Sequence, residues 1–226
     1  MNTLSIVLSL FALLFAITIH EASHAWAANR LGDPTAMGMG RVSLNPLAHI
    51  DLFGTVILPL ILVLIGAPAF GWAKPVIVNP YNLKNPRRDN LWISLAGPAA
   101  NLSAAAAGLV SILVLKALSP GLTGFLRSIL IYKQGVSPGF YPVQGLALIL
   151  FYGILVNTYL AVFNLIPVPP LDGSGILSGL LSDEGARAYD RIRPFGFIIV
   201  VILISLGFLD IVIRPLQLLI FTLIFF

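Results

Sequence analysis

The sequence predicts an all-α polytopic membrane protein. About four to six segments enter the membrane, each spanning helix needing about 20 mostly apolar residues. One of these segments can be re-entrant, and short β-strands are expected near the cytoplasmic side of the site described below. Three observations predict this class. Of 226 residues, 58% are apolar and only 10% charged, whereas water-soluble domains carry about 25% charged residues. Apolar runs long enough to span recur along the chain. Ionisable residues, His20, Glu21 and His24, stand inside the first of those runs.

The first run covers residues 3–28 and ends at Gly32 and Pro34, a glycine cap with a proline beyond. No Lys or Arg precedes it, as the n-region of a signal peptide requires, so it is read as a permanent helix. Residues 91–116 and 143–166 supply further spans, and 195–212 can cross as well. The tail, 215–226, is too short to cross and reads as re-entrant or interfacial. The stretches 29–51, 71–90, 118–142 and 181–194 are weakly apolar and read as loops.

Residues 52–70, LFGTVILPLILVLIGAPAF, are short for a span and contain Pro59, Gly66 and Pro68. If they dip in and return, Arg30, Arg41, Lys74, Lys84, Arg87, Arg88, Arg187, Arg191 and Arg193 share one side. Lys116, Arg127, Lys133 and Arg214 then lie on the other. That split obeys the positive-inside rule. It predicts an extracytoplasmic N-terminus and cytoplasmic loops at 29–51, 71–90 and 167–194. MGRVSL (39–44) and KPVIVNP (74–80) carry β-branched residues between Gly and Pro breaks, the pattern of short strands.

The formal net charge of +4 fits this loop bias, and no pattern of a nucleic-acid binder is present. With no cysteine, disulfides and thiolate metal sites are excluded.

His20 and His24 are four residues apart, on one face of a helix, with Cβ atoms about 5–6 Å apart. Two imidazoles so placed can bind one zinc ion, and H-E-x-x-H on a helix is the metalloprotease pattern. Glu21 is turned off that face and suits a general base better than a ligand. Ionisable groups at membrane depth each cost at least about 2.5–3.5 kcal/mol, so three together argue for function.

Catalytic zinc takes three protein ligands. The remaining histidine is His49 and the remaining glutamate Glu184. Asp33 and Asp51 lie in loops and read as solvated, and Asp210 pairs naturally with Arg214 at i,i+4. Asp172, in NLIPVPPLDGSGIL (164–177), follows a proline-rich break and can also cap a short helix from Gly173. Spacing alone leaves Asp172 and His49 both open, with Asp172 ahead.

HEASH in the first apolar run, AGPAAN (96–101) in a later one and NLIPVPPLDG (164–173) after a third together resemble the site-2 protease family of intramembrane zinc metalloproteases. GWAKPVIVNP (71–80) resembles the compact prokaryotic members, without PDZ or cystathionine-β-synthase domains. The resemblance spans roughly residues 15–180. It implies zinc held by His20, His24 and Asp172, with Glu21 as general base and Asn101 and Asn164 near the substrate path. It also implies transmembrane proteins in the lipid bilayer as substrates and a prokaryotic plasma-membrane location. The chain then reads as one domain, 1–226, with a catalytic core to about residue 182 and membrane segments over about 194–226. A membrane zinc transporter or metal-binding protein is the alternative, since intramembrane His and Asp also build ion pathways. Internal repeats, which transporters often show, are absent: HEASH and LDG each occur once.

Ser94, Gly97, Asn101, Ala104 and Gly108 form one small-residue face at steps of three and four. Such faces let membrane helices pack closely, and the metal-bearing helix is the expected partner. Asn157, Ala161 and Asn164 share a face of the span 143–166. For Asn157 this suggests interhelical hydrogen bonding.

Overall fold

A computed structural model of the chain describes residues 3–58, 61, 64, 72–132 and 141–226. Long apolar sequences with no backbone partner in lipid must satisfy their own hydrogen bonds, and helices do so. The first is α1, Thr3–Arg30. It is followed by α2, Pro86–Leu118, by the short α3, Leu122–Leu130, and by α4, Pro142–Asn164. After a proline-rich break come α5, Asp172–Leu180, and α6, Asp183–Asp190. The chain ends in α7, Gly196–Ser205, and α8, Phe208–Phe225. Among the described residues, four helices are long and apolar enough to cross a membrane: Ile6–Arg30 within α1, and α2, α4 and α8.

The described residues contain no strand. Residues 39–44 are turn and bend, and 72–79 form no regular element. Pro75 and Pro80 bracket the second stretch and lack the N–H that a ladder needs. Its polar groups bond to a loop instead: Lys74 N–H donates to His49 O at 2.9 Å and Asn79 N–H to Asp33 Oδ2 at 2.7 Å. Most of the expected re-entrant segment, 52–70, lies outside the described residues. Its opening, Leu52–Ile57, is a π-helix whose cap is Asp51, accepting from Gly54 N–H at 2.6 Å.

The last expected span, 195–212, is interrupted. Gly207, at φ 73°, takes the left-handed conformation that glycine adopts without strain, and ends α7. The tail expected to be too short to cross belongs to the 18-residue α8, which continues through Pro215. Membrane helices tolerate an internal proline. Three expected loops contain helices: 29–51 holds the four-residue turn Thr35–Gly38, 118–142 holds α3 and 181–194 holds α6. In α3, Leu122, Leu126 and Ile129 are buried at helical spacing. In α6, Ser182 Oγ caps the start by accepting from Gly185 N–H.

Two compact units contain these elements. One comprises residues 1–16, 101–163 and 198–226. Its core holds Ile112, Leu122, Leu126, Leu148, Ile154 and Ile224. Phe151 stands edge-on to Phe221, with ring centroids 5.6 Å apart. Inside it, Asn101 is fully buried. Its Nδ2 group donates to Ala16 O at 3.0 Å and to Asn157 Oδ1 at 2.7 Å, joining α2 to α1 and α4.

The other unit comprises residues 17–100 and 164–197 and contains H-E-x-x-H. Ala27 and Ala28 of α1 pack with Leu83 and with Ile93 of α2. The loop after α1 is anchored by Asp33. Its place in a loop predicts a solvated carboxylate, but Asp33 is fully buried. It accepts from Thr35 N–H and Oγ1–H, Asn79 N–H and Asn82 Nδ2. Four donors replace the lost water, as a buried charge requires.

Candidate metal centre

α1 presents His20 and His24 on one face, both buried, their rings 4.6 Å apart at 87°. His24 Nδ1 lies 2.6 Å from Ile93 O. A carbonyl only accepts, so Nδ1 carries the proton and Nε2 keeps its lone pair. This is how an outer hydrogen bond fixes the tautomer of a metal-binding histidine.

α5 brings in the third group. Asp172 is its first residue, one place inside the N-cap Leu171, so it does not cap a helix from Gly173. Asp172, Gly175 and Gly179 lie on one face, at steps of three and four. That face packs on α2. A Cβ built on Gly175 would lie 2.2 Å from Ser94 Oγ, and one on Gly179 would lie 2.6 Å from Leu91 Cβ. Backbone contact at the two glycines thus delivers Asp172 to the histidines. The preceding loop is clamped as well. A Cβ on Gly173 would sit 2.3 Å from Leu165 O, and Tyr189 Oη–H donates to Pro167 O at 2.8 Å.

Asp172 Oδ2 lies 3.0 Å from His20 Nε2 and 3.3 Å from His24 Nε2. It is buried and yet accepts no aligned hydrogen bond. A metal takes Asp172 as its carboxylate and the two histidines as neutral imidazoles. The ligand atoms of His20, His24 and Asp172 all fall within 4.8 Å of one another. Bonds of about 2.0–2.2 Å to a tetrahedral zinc place ligand atoms roughly 3.3–3.6 Å apart. An orphaned carboxylate oxygen converging with two imidazole nitrogens fits such an ion, and a three-ligand N,N,O set is of the catalytic type.

Gly97 of α2 closes over the cluster. A Cβ there would lie 2.4 Å from His24 Nε2 and 2.7 Å from His20 Cε1. Gly97 belongs to the small-residue face legible in the sequence, but its approach to both imidazoles has no sequence signature. Gly175, Gly179 and Tyr189 also escaped the sequence reading. Gly175 and Gly179, at i and i+4 after Asp172, were the available signal.

The other candidate residues are not part of that three-residue group. Glu21 is half-buried and makes no hydrogen bond or ion pair with a described residue. His49 is buried, with Nε2–H donating to Ser43 O at 2.8 Å and Nδ1 unpartnered. It is absent from the metal-binding group. Asn164 is the half-buried last residue of α4. Asp210 and Arg214 both lie in α8 but form no ion pair with each other.

Among the described residues, four helices able to cross a membrane, and a cluster of two buried histidines from an H-E-x-x-H helix with Asp172 of α5, define an integral-membrane metalloprotease. The chain belongs to peptidase family M50, the site-2 protease family, whose model matches residues 8–207. It is 34% identical over 191 residues to YwhC, a Bacillus subtilis protein named as a zinc metalloprotease, covering 84% of this chain and 77% of that one. It is 31% identical over 193 residues to Rip2 of Mycolicibacterium smegmatis, also named as a zinc metalloprotease, covering 84% of this chain and 64% of the relative. The Rip2 of Mycobacterium tuberculosis strain H37Rv is 28% identical over 192 residues, 84% of this chain and 63% of its own. No solved structure matches the chain. The chain is accordingly a zinc-dependent intramembrane protease, and the transporter reading is not favoured.

Proposed function

We propose that His20, His24 and Asp172 hold the zinc, and that Glu21 is the general base for hydrolysis of a peptide bond in or near a transmembrane segment of another membrane protein. The observation that carries this reading is the convergence of Asp172 Oδ2 on both Nε2 atoms without a hydrogen bond of its own. Zinc, when bound, polarises the scissile carbonyl and lowers the pKa of water to near 7.

The chain's residues do the rest. His24 is locked by Ile93 O with Nε2 turned inward. Glu21, which makes no hydrogen bond or ion pair with a described residue, takes the proton of the attacking water and returns it to the leaving amide nitrogen. Asn164, eight residues before Asp172, donates to the oxyanion. Asn101 is assigned to the substrate path by the AGPAAN motif, in addition to its bonds to Ala16 and Asn157.

Residues 1–226 act as one domain in a prokaryotic plasma membrane, with the N-terminus outside. His20 is then about 25 Å along α1 at 1.5 Å per residue, in the cytoplasmic half of the bilayer. The positive-inside split of the loops supports that orientation.

The test is zinc per chain in wild type, Asp172→Ala, His49→Ala and Glu21→Gln, with cleavage of a transmembrane reporter measured in parallel. Wild type, His49→Ala and Glu21→Gln are expected to hold about one zinc, Asp172→Ala to lose it, and Glu21→Gln to lose cleavage. Zinc lost from Glu21→Gln but kept in Asp172→Ala would sink the assignment.

A further inference from the structure

We infer that a groove between the start of α2 and the end of α5 binds the phosphate headgroup of an anionic phospholipid. The groove is a shallow, open depression of about 600 Å³. Its walls include Arg87, Arg88, Trp92, Leu180 and Asp183.

Depth points to the occupant. α2 has 33 residues, about 50 Å at 1.5 Å per residue, well beyond a hydrocarbon core of about 30 Å. Its terminal cations, Arg88 and Lys116, are about 42 Å apart along the axis, matching a bilayer measured across its headgroups, about 40–45 Å. Arg88 therefore sits at headgroup level. Trp92, one turn further in and half exposed, falls where interfacial aromatic residues belong. Leu180, 71% exposed, offers apolar surface to an acyl chain.

Charge sets the sign. The Arg87 guanidinium donates to Asp183 Oδ1 and to Leu181 O, so that pair is neutral and fixes the groove wall. Arg88 is exposed and makes no hydrogen bond or ion pair with a described residue. One unbalanced guanidinium beside a tryptophan at headgroup depth complements a lipid phosphate, and basic pockets at helix ends bind such headgroups.

The experiment is native mass spectrometry of the purified full-length chain titrated with phosphatidylglycerol or phosphatidylcholine. Wild type is expected to retain one phosphatidylglycerol in preference to phosphatidylcholine. Arg88→Gln should weaken that retention roughly five-fold, the worth of one basic residue at an anionic surface. Arg88→Lys, keeping the charge, should preserve most of it. Arg191→Gln, at an exposed arginine outside the groove, should leave it unchanged, and zinc content should match wild type throughout. Equal retention of the two lipids, undiminished binding by Arg88→Gln, or an equal loss in Arg191→Gln overturns the inference. Displacement of the lipid by inorganic phosphate overturns the lipid assignment.

Discussion

Gly97 of α2 and His24 of α1 meet so closely that a Cβ on the glycine would lie 2.4 Å from His24 Nε2. The site has no room for even a methyl group there. Gly97→Ala is therefore expected to displace the imidazole and empty the metal site. Zinc per chain should fall well below wild type while helix content by circular dichroism changes little. Full zinc in Gly97→Ala would mean that α1 and α2 yield more easily than this contact implies.

Asp172 reaches the histidines because Gly175 and Gly179 let α5 lie directly on α2. Gly179→Val would drive carbon into Leu91 Cβ, 2.6 Å from the position a Cβ would take. Overpacking of this kind costs typically about 1–3 kcal/mol. The variant should lower both thermal stability and zinc affinity, whereas Gly124→Ala, where a Cβ meets nothing within 4 Å, should lower neither.

His49 is buried but not part of the metal group. His49→Ala should keep zinc and lose stability by about 1–3 kcal/mol, the cost of breaking a buried hydrogen bond. Protection of the backbone around residues 43–49 in hydrogen exchange should fall, because His49 Nε2–H holds Ser43 O. Loss of zinc in this variant would restore His49 as a ligand.

Asp33 gives the loops after α1 a pH dependence. Burial pushes its carboxyl up, but the hydrogen bonds from Asn82, Thr35 and Asn79 outweigh that and lower it. A carboxylate whose folded pKa is depressed stabilises the fold above its unfolded pKa, about 3.9. That contribution is lost as the pH falls through the folded value. Exchange protection of the Asn79 amide, which donates to Asp33 Oδ2, should therefore hold at pH 6. It should drop below about pH 4, after correction for intrinsic exchange. Asp33→Asn should flatten the profile; an unchanged profile would place the sensitivity elsewhere.

Asn101 binds Ala16 O and Asn157 Oδ1. Asn101→Ala should cost about 0.6–2 kcal/mol, the usual worth of an interhelical hydrogen bond in a membrane protein. Asn157→Ala should cost a similar amount, and the double variant less than the sum, since one bond is shared. Strict additivity in detergent unfolding would show that the two side chains are not coupled.

The sequence by itself determined the class and most of the chemistry. Apolar runs in lipid leave the backbone no partner but itself, so α1, α2 and α4 were legible within a few residues. The i,i+4 spacing of His20 and His24 fixed a shared helical face before any fold was known. Spacing alone left Asp172 and His49 both open, and only the resemblance of NLIPVPPLDG pointed to Asp172. The tertiary structure shows how Asp172 comes beside the histidines: Gly97 admits the imidazoles, and Gly175 and Gly179 lay α5 against α2. Backbone contact of that kind has no periodic signature. The same limit explains the strands expected at 39–44 and 74–80. β-branched residues favour an extended chain, but a strand needs a partner ladder, and Asp33 and His49 took those backbone groups instead. At the C-terminus a single glycine, Gly207, moved the last crossing from the run before it to the one after.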